Sequence, residues 1–397
     1  MPVLTTNSLQ TTNDALDFTA DSQLWIIAPG VIAESQGNDG VYSTFMSSTL
    51  ENYGIVASDA GIGVLFNGTN AVIYNDSGAS ISGFTGISMD GSAPSVFNNG
   101  SILGFTSNGI TLGPDTTAAS VHNGGYIFGH GNGIELASLN SGGRIVNSGS
   151  VEAGDDGLYV STGAAFTTRV NNAGSIEGDG FAIEVQSGSL SLVNTGTLTG
   201  GLSLSVGADD IRNRGTITGD VALGGGNDAF DGRLGMVNGT VDGGSGNDIL
   251  RGGGNDDVLS GGTGSDTLLG GAGEDVLTGG IGADSLTGGG AHDEFVFTKI
   301  KDSTVAPAGR DTILDFSHAQ GDLIDLRAID ANTGVGGNQA FQFIQTGAFG
   351  NHAGELNYKV DADGNALISG DVNGDGTADF TILALSVHTL VAADFLL

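Results

Sequence analysis

The sequence predicts an all-β fold in which a parallel β-helix, or solenoid, continues into a parallel β-roll and ends in a β-rich cap. Two internal repeats and a high glycine content support this prediction. The chain of 397 residues contains 72 Gly and only 5 Pro, without the Gly-X-Y period of collagen, so turns must be frequent. Hydrophobic residues make up 39 % of the chain, which is enough to bury a core.

The first repeat consists of an Asn, a variable residue, a Gly and then an aliphatic residue two positions further on. Counting a looser copy at Asn75, successive Asn residues lie 19 to 25 positions apart. The regular copies are Asn52/Gly54/Val56, Asn98/Gly100/Ile102, Asn123/Gly125/Ile127, Asn147/Gly149/Val151, Asn172/Gly174/Ile176, Asn194/Gly196/Leu198 and Asn213/Gly215/Ile217. Short apolar alternations between them, such as Gly109–Leu112, indicate further strands.

Strands this short bury a face only when identical coils stack about 4.8 Å apart, which predicts a parallel β-helix over residues 49–222. The Asn column is expected to form a hydrogen-bonded ladder at a bend where Gly takes a positive φ; a ligand role is the alternative. A second column is expected to face outward, either as a solvated β-face or as a recognition or ice-ordering surface. It comprises Ser101, Ser150, Ser175, Thr197, Thr216 and Thr240.

Residues 1–48 lack the Asn-x-Gly period and contain the only tryptophan, Trp25, within the apolar run Leu24–Ile27. Two interpretations stay open. The segment either caps the first coil or docks onto a neighbouring molecule and generates a head-to-tail array.

The second repeat is a nonapeptide that runs without gaps from Gly243 to Val296. Its copies are GGSGNDILR, GGGNDDVLS, GGTGSDTLL, GGAGEDVLT, GGIGADSLT and GGGAHDEFV. The sixth position is always Asp: Asp248, Asp257, Asp266, Asp275, Asp284 and Asp293. The eighth position is always large and apolar: Leu250, Leu259, Leu268, Leu277, Leu286 and Phe295.

Six carboxylates at one spacing require a cation, because stacked like charges in a partly desolvated loop repel one another. Calcium fits better than magnesium or zinc, since it takes six to eight oxygens and glycines let backbone carbonyls turn inward. Several Ca²⁺ ions are therefore expected within residues 223–297, including a partial copy at Asp228. The predicted ligands here are Asp228, Gly244, Gly246, Asp248, Asp257, Gly262, Gly264, Asp266, Gly271, Gly273, Asp275, Gly280, Gly282, Asp284 and Asp293.

The nonapeptides resemble the hemolysin-type calcium-binding repeats of RTX proteins. The resemblance implies a parallel β-roll with two nonapeptides per turn and an ion between loops that lie two repeats apart. Asp248, Asp266 and Asp284 would then line one edge, and the other three Asp residues the opposite edge. Asn255 and Ala291 replace the fourth-position Gly in two copies, so we expect weaker sites there.

Residues 298–397 carry no nonapeptide and resemble the C-terminal domain of serralysin-type secreted proteases. The resemblance rests on Asp311–Phe316, Gly321–Leu326, Gly354–Leu356 and Gly370–Phe380. It implies that the terminal Asp394-Phe395-Leu396-Leu397 belongs to an uncleaved signal for type I secretion machinery. The chain has no cysteine, and its first residues do not form an N-terminal signal peptide, which agrees with that route. A terminal tetrapeptide is expected to contribute little to the core.

A further calcium loop is predicted where Asp371-x-Asn373-x-Asp375-Gly is followed by Asp379. The rival interpretation is a polar hairpin turn. We prefer a hairpin turn for residues 361–365, because Asp363-Gly364 favours a tight turn.

Composition and missing motifs exclude several classes of function. Acidic residues outnumber Lys and Arg by 45 to 11, a net charge of −34 that argues against nucleic-acid binding, and no apolar run is long enough for membrane insertion. Protease and lipase chemistry lack their HExxH and GxSxG motifs. A polysaccharide lyase or epimerase remains the enzyme alternative, although the only cations of the β-helix are Arg144, Arg169, Arg212 and Arg214.

The sequence therefore predicts a secreted protein, extracellular or on the cell surface, that is not an enzyme. We expect a structural, matrix, surface-layer or adhesive role, with self-assembly into oligomers, filaments or sheets on meeting calcium. Cell-surface polysaccharide is a further possible partner, and a glycan- or ice-binding face is an alternative function.

Overall fold

The computed structural model describes residues 2–10, 13–114, 116–139, 141–163 and 165–397. These residues form two compact units, residues 1–220 and residues 221–397, that are considered in turn.

Unit 1 is a parallel β-solenoid in which each of the first nine coils contributes three short strands, one to each of three faces, and the last contributes two. The coils in chain order are β1 (Val3–Leu4), β2 (Ser8–Gln10), β3 (Leu16–Asp17); β4 (Leu24–Ile27), β5 (Ile32–Ser35), β6 (Val41–Ser43); β7 (Thr49–Asn52), β8 (Ile55–Ser58), β9 (Val64–Phe66); β10 (Val72–Asn75), β11 (Ser80–Gly83), β12 (Ile87–Met89); β13 (Ser95–Asn98), β14 (Ser101–Gly104), β15 (Ile110–Leu112); β16 (Ser120–Asn123), β17 (Tyr126–Gly129), β18 (Ile134–Leu139); β19 (Arg144–Asn147), β20 (Ser150–Ala153), β21 (Leu158–Thr162); β22 (Thr167–Asn172), β23 (Ser175–Gly178), β24 (Ile183–Ser187); β25 (Ser189–Asn194), β26 (Thr197–Thr199), β27 (Leu202–Leu204); and β28 (Asp210–Asn213), β29 (Thr216–Thr218).

Side chains alternate between interior and solvent along each strand, and successive coils pair in parallel with the same register. Ile81 of β11 pairs with Ile102 of β14, which pairs with Ile127 of β17. Each of these side chains is completely buried. Aliphatic columns of this kind form the core, and burying each such side chain contributes about 1.5–3 kcal/mol.

The repeated Gly after each ladder Asn is required for close approach between coils. The prediction that this Gly adopts a positive φ is wrong, because none of Gly125, Gly149 and Gly174 does so. A Cβ on Gly149 would lie 2.0 Å from the carbonyl oxygen of Gly125 on the preceding coil, and one on Gly174 would lie 1.9 Å from that of Gly149. Any side chain here would force adjacent coils apart.

The described residues before position 49 form coils of the same solenoid. Strands β1, β2 and β3 pair in parallel with β4, β5 and β6, which pair in turn with β7, β8 and β9. Trp25 of β4 is in register with the buried Leu50, and its ring packs edge-to-face with Phe18 at 6.5 Å between centroids. The described part of this segment therefore has the same architecture as the coils that follow it. Its role as a cap or as an assembly surface stays a prediction.

Unit 2 contains seventeen strands and two short 3₁₀ helices within its described residues. They are β30 (Val221–Ala222), β31 (Ala229–Asp231), β32 (Met236–Asn238), β33 (Thr240–Ser245), β34 (Ile249–Arg251), β35 (Val258–Thr263), β36 (Thr267–Ala272), β37 (Val276–Ile281), β38 (Ser285–Gly290), β39 (Glu294–Val296), the 3₁₀ helix Pro307–Gly309, β40 (Thr312–Ile313), β41 (Leu323–Asp325), β42 (Gln342–Phe343), β43 (Glu355–Val360), β44 (Ala366–Asp371), β45 (Phe380–Ala384), the 3₁₀ helix Ala392–Asp394 and β46 (Phe395–Leu396).

The nonapeptides form a two-sided parallel β-roll. Strands β34, β36 and β38 stack on one side, and β33, β35, β37 and β39 stack on the other. Leu250 pairs with Leu268 and Leu259 with Leu277, so one turn takes two nonapeptides. The apolar side chain at position eight is buried in every copy.

The C-terminal region adds strands to both sides of the roll and then forms an antiparallel meander. Strand β40 pairs with β38, and β41 pairs with β39, both in parallel. Strands β43, β44 and β45 are antiparallel. The turn between β43 and β44 confirms the predicted hairpin, because Asp361 Oδ1 accepts hydrogen bonds from the backbone N–H groups of Asp363 and Asn365, both at 2.9 Å.

The terminal tetrapeptide is part of this folded region, so the expectation that it contributes little to the core is wrong. Phe395 is only 6 % exposed and packs against Phe343 at 4.9 Å between ring centroids. The buried Asp394 carboxylate contacts His318 and accepts a hydrogen bond from the backbone N–H of Val391 at 2.7 Å.

The predicted all-β, parallel-solenoid fold class is thus confirmed for each unit. In the part of the chain that the structure describes, no helix has both the length and the apolar character needed to cross a membrane.

Candidate calcium sites

The six nonapeptide aspartates lie in the turns that precede the strands of the β-roll, and their side chains are 0–8 % exposed. Each turn is followed by a strand whose second residue is the buried apolar side chain, so the strand fixes the position of the Asp two residues earlier. The backbone thereby aligns the carboxylates in columns with one Asp per turn.

Backbone hydrogen bonds join the aspartates of each column. The backbone N–H of one Asp donates to Oδ1 of the Asp one turn later. On one edge the pairs are Asp228 to Asp248, Asp248 to Asp266 and Asp266 to Asp284, each with an N···O distance of 2.8 Å. On the other edge they are Asp257 to Asp275 at 2.8 Å and Asp275 to Asp293 at 3.0 Å. The alternation between two edges, implied by the family resemblance, is present.

The second carboxylate oxygen of these residues is what points to a cation. Oδ2 is buried and accepts no hydrogen bond in Asp248, Asp266, Asp275, Asp284 and Asp293. A buried anionic oxygen without a donor is strongly unfavourable, and a divalent cation that prefers oxygen ligands would compensate it. The residues present therefore fit calcium.

Glycine carbonyls supply further oxygens in these loops. Gly246 and Gly264 have φ angles of 132° and 137°, and a Cβ on Gly264 would lie only 1.6 Å from the carbonyl oxygen of Gly246 one turn earlier. Among the described residues, no group of three or more acidic or histidine side chains converges as a metal cluster. Because calcium takes six to eight oxygen ligands, a bound ion would use such backbone carbonyls in addition to a carboxylate.

Burial also changes the acidity of the columns. Desolvation raises the pKa of Asp266 to about 7 and those of Asp275 and Asp284 to about 6, and nearby carboxylates raise the pKa further. The folded β-roll therefore disfavours the ionised carboxylates unless a cation neutralises them.

The two copies that depart from the repeat differ in backbone geometry. Asn255 does not adopt a positive φ, and in its copy Oδ2 of Asp257 accepts a hydrogen bond from the backbone N–H of Gly253 at 2.7 Å. Ala291 takes a left-handed φ of 83°, which is strained for a residue with a Cβ. Weaker sites in these two copies remain a prediction, and both differences agree with it.

Two aspartates beyond the nonapeptides extend the columns. Asp284 N–H donates to Asp311 Oδ1 at 2.9 Å, and Asp293 N–H donates to Asp322 Oδ1 at 3.2 Å. Oδ2 of Asp311 is also buried without a hydrogen bond, and desolvation followed by the charge of Asp284 raises the pKa of Asp311 to about 9.

Sequence reasoning overlooked Asp311 and Asp322 as candidate ligands because the nine-residue spacing is broken there. A signal was nevertheless present. Each is followed two residues later by a buried aliphatic side chain, Ile313 or Ile324, as in the nonapeptides.

Four residues are predicted as a further calcium loop. Asp371 is the last residue of β44, and Asn373, Asp375 and Asp379 lie in the turn that leads to β45. Their oxygens already accept hydrogen bonds. Asp371 accepts from the backbone N–H groups of Gly374 at 2.7 Å and Gly376 at 2.9 Å, and Asp379 accepts from the side-chain amide of Asn373 at 2.8 Å. This geometry favours the rival polar turn, and calcium at these four residues stays a prediction.

The Asn column forms the predicted structural ladder. From Asn52 to Asn194, each side-chain Nδ2 donates to Oδ1 of the Asn on the next coil at 2.8–2.9 Å, and Asn213 accepts the last of these bonds. Asn75, the looser copy, is a full member. The ligand role considered as the alternative has no support, because these buried amides already satisfy one another.

The outward Ser/Thr column is interrupted in the structure. Tyr126 lies in register between Ser101 and Ser150, and Thr240 belongs to unit 2, where it pairs with Val258. The column therefore does not form a continuous flat face of small hydroxyl residues.

The four arginines of unit 1 are exposed to solvent. Arg144 and Arg169 are exposed neighbours in register, and Arg212 pairs with Asp210 at 2.8 Å with 54 % of its side chain exposed.

Comparisons with known proteins agree with the geometry of the β-roll. The family model of the RTX calcium-binding nonapeptide repeat (four copies) matches residues 238–268 and 260–295. No curated protein matches the chain.

The solved structures that are similar to part of the chain include two subunits of the Azotobacter vinelandii mannuronan C5-epimerase. The AlgE6R3 subunit is 28 % identical and has a TM-score of 0.28, and the match covers 38 % of this chain and 77 % of that one. The AlgE6R2 subunit is 28 % identical and has a TM-score of 0.27, and the match covers 37 % of this chain and 90 % of that one. Residues 238–295 of this chain are RTX calcium-binding nonapeptide repeats.

Proposed function

We propose that the protein is a secreted calcium-binding β-solenoid with an extracellular structural, matrix, surface-layer or adhesive role. The observation that carries this proposal is the double column of buried aspartates, in which Oδ2 has no hydrogen-bond donor in Asp248, Asp266, Asp275, Asp284 and Asp293. Such a unit is unfavourable without a cation and stable with one, so calcium binding and folding are coupled.

Coupling of this kind suits a protein that crosses from a calcium-poor to a calcium-rich compartment. Extracellular calcium modules bind with dissociation constants of roughly 0.1–1 mM, so unit 2 would stay unfolded in a low-calcium cytosol and fold outside. The chain would then reach type I secretion machinery with Asp394–Leu397 accessible, whereas Phe395 is buried after folding.

Export is tested by deleting Asp394–Leu397, which should retain the protein inside the cell. Because Phe395 also packs against Phe343, a Phe343→Ala variant is the matched control: it loosens the same packing but keeps the terminus and should still be exported. Normal export of the truncated chain would contradict a terminal signal.

Self-assembly is the second part of the proposal. Among the described residues, β1, β2 and β3 each pair with one strand only, and an unpaired strand edge is a template for pairing with another molecule. Calcium would promote contact between molecules by neutralising acidic surfaces that otherwise repel at a net charge of −34.

Electron microscopy and light scattering, with and without several millimolar calcium, test assembly. We expect filaments or sheets in calcium and single particles in chelator. A monomeric mass at high protein concentration in calcium would refute self-assembly and favour a monomeric adhesin.

The polysaccharide lyase or epimerase alternative is tested on the same sample. Mannuronan and other uronate polymers are incubated with the calcium-loaded protein, and NMR detects epimerised or unsaturated residues. We expect neither product, and turnover well above a heat-inactivated control would overturn the non-enzymatic proposal.

A further inference from the structure

Three aromatic side chains stack on the outer surface of unit 1. Tyr74 of β10, Phe97 of β13 and His122 of β16 occupy the same register position on successive coils. The ring centroids of Tyr74 and Phe97, and those of Phe97 and His122, lie 4.9 Å apart, with interplanar angles of 12° and 17°. Each inner ring face is therefore covered by the next ring, and the stack holds its members in fixed orientations.

The stack ends at Tyr74, where an aromatic face meets a cavity. The register partner of Tyr74 on the preceding coil is Glu51, so no ring covers its second face, and Tyr74 is 43 % exposed. A cavity of about 220 Å³ opens there, and Tyr53, Asp76 and Asn99 also line it. At about 30 Å³ per water molecule, it holds roughly seven waters, which is suitable for one sugar unit.

The cavity is negatively charged and has no cationic partner of its own. Within the described residues neither Glu51 nor Asp76 forms an ion pair, and the first Lys or Arg in the sequence is Arg144, on β19. The negative charge of Glu51, desolvation and the charge of Asp76 together raise the pKa of the Tyr53 phenol. The negative charges of Glu51 and Asp76 therefore both act within this cavity.

We infer that this cavity binds a protonated amino sugar unit of a polysaccharide. The pyranose ring would lie on the free face of Tyr74, its ammonium group would approach Glu51 and Asp76, and its hydroxyl groups would pair with Tyr53 and Asn99. Aromatic faces attract both C–H groups and cations, and carboxylates add charge complementarity.

A lysine side chain would satisfy this cavity less well. Its methylene stem cannot form hydrogen bonds, so the hydroxyl of Tyr53 and the amide of Asn99 would gain no partner from it. A sugar carries a flat C–H face, a charge and a rim of hydroxyl groups together. All seven lining residues belong to unit 1, so the inference does not depend on the calcium sites.

The test uses the full chain in millimolar calcium and physiological salt, with the β-1,4-linked glucosamine tetramer as probe in isothermal titration calorimetry. Tyr74→Ala should weaken binding about three- to thirtyfold and Glu51→Gln about threefold or more. Phe105→Ala removes an exposed ring elsewhere, and Glu177→Gln removes one exposed charge; both controls should bind within twofold of the unmodified protein. The N-acetylated tetramer, which lacks the charge, should bind more weakly than the glucosamine tetramer.

Three results would overturn the inference. Equal weakening by Glu177→Gln would mean that the net charge, and not the cavity, attracts the probe. Equal binding of the N-acetylated tetramer would exclude recognition of the ammonium group. Equal binding of tetralysine, lost in the same variants, would reassign the cavity to peptide ammonium groups. Circular dichroism checks that each variant is folded. If Tyr74→Ala does not fold, Glu51→Gln alone still tests the cavity.

Discussion

Both units place one polar side chain per coil in a buried column, but the chemistry of the two columns differs. In unit 1, Nδ2 of Asn98 donates to Oδ1 of Asn123 at 2.8 Å, and Asn123 repeats the contact with Asn147. An amide both donates and accepts, so a column of Asn satisfies itself. In unit 2 the carboxylate of Asp266 can only accept, and its Oδ2 has no donor.

One change of residue type therefore separates a self-sufficient solenoid from a cation-dependent one. A neutral buried hydrogen bond contributes about 0.5–1.5 kcal/mol, whereas a buried unpaired charge costs several kcal/mol. The nonapeptide columns accumulate that cost with every turn, and an ion bound between turns removes it. Unit 1 carries no such requirement in its Asn column.

Calcium removal should have the largest effect and should be confined to unit 2. In excess chelator we expect loss of amide-exchange protection across residues 221–325 and retained protection in the coils from Asn52 to Asn194. Each site filled at 100 times its dissociation constant adds about 2.7 kcal/mol to folding, so several sites decide whether unit 2 folds. Hydrogen-exchange mass spectrometry measures both units in one sample. Equal protection of unit 2 with and without calcium would contradict the coupling.

Introducing a charge into the neutral column should destabilise unit 1. In the unmodified protein, Nδ2 of Asn147 donates to Oδ1 of Asn172 at 2.8 Å and to the carbonyl oxygen of Ser175 at 2.9 Å. Asn147→Asp removes both donated bonds and buries a carboxylate. We expect a loss of about 3–5 kcal/mol in the free energy of unfolding, measured by urea denaturation. Asn171→Asp, at an exposed position of β22, the strand of the next coil that pairs with β19, is the matched control and should change stability by about 0.5 kcal/mol or less. Similar losses in both variants would argue against the ladder.

Acidification should partly replace calcium. The pKa of Asp266 is raised to about 7 and those of Asp275 and Asp284 to about 6, above the ordinary value of 3.8. Folded unit 2 therefore binds more protons than the unfolded chain, so its stability rises as pH falls from 8 to 5 and is lost as pH rises. Circular dichroism of the calcium-free protein should show β-signal returning at pH 5. An unchanged spectrum over this range would be inconsistent with buried carboxylates.

The sequence was sufficient to predict features that repeat with a fixed spacing. The Asn column, the aspartates at position six and the buried side chains at position eight follow from periodicity, because stacking requires the same residue type at the same place in each coil. Features that depend on the distance between coils were not predictable in this way. The corner Gly149 excludes a Cβ through contact with Gly125, not through its φ angle.

Contacts between residues distant in sequence were also missed. Asp311 and Asp322 join the aspartate columns only because longer connections return the chain to the same two edges. Phe395 is buried against Phe343, a contact that no local pattern of the last four residues indicates. The stack of Tyr74, Phe97 and His122 can be predicted only when the register of three coils is known. Taken alone, each residue is simply an outward-facing position of a strand.

The smallest expected effect distinguishes two aspartates of the β-roll from each other. Asp266→Asn removes a carboxylate whose Oδ2 has no hydrogen-bond donor, so we expect the calcium midpoint for folding to rise about tenfold. Asp257→Asn should raise it threefold or less, because Oδ2 of Asp257 already accepts the Gly253 N–H and its loop contains Asn255 in place of Gly.

Asp256→Asn removes an exposed charge beside Asp257 and is the control for net charge. Calcium titrations followed by circular dichroism give the midpoint for all three variants. If Asp257→Asn shifted the midpoint as far as Asp266→Asn, an Asp that already has a hydrogen-bond donor would matter as much as one that lacks it. The missing donor, which sets the aspartate columns apart from the Asn ladder, would then not be what selects the calcium ligands.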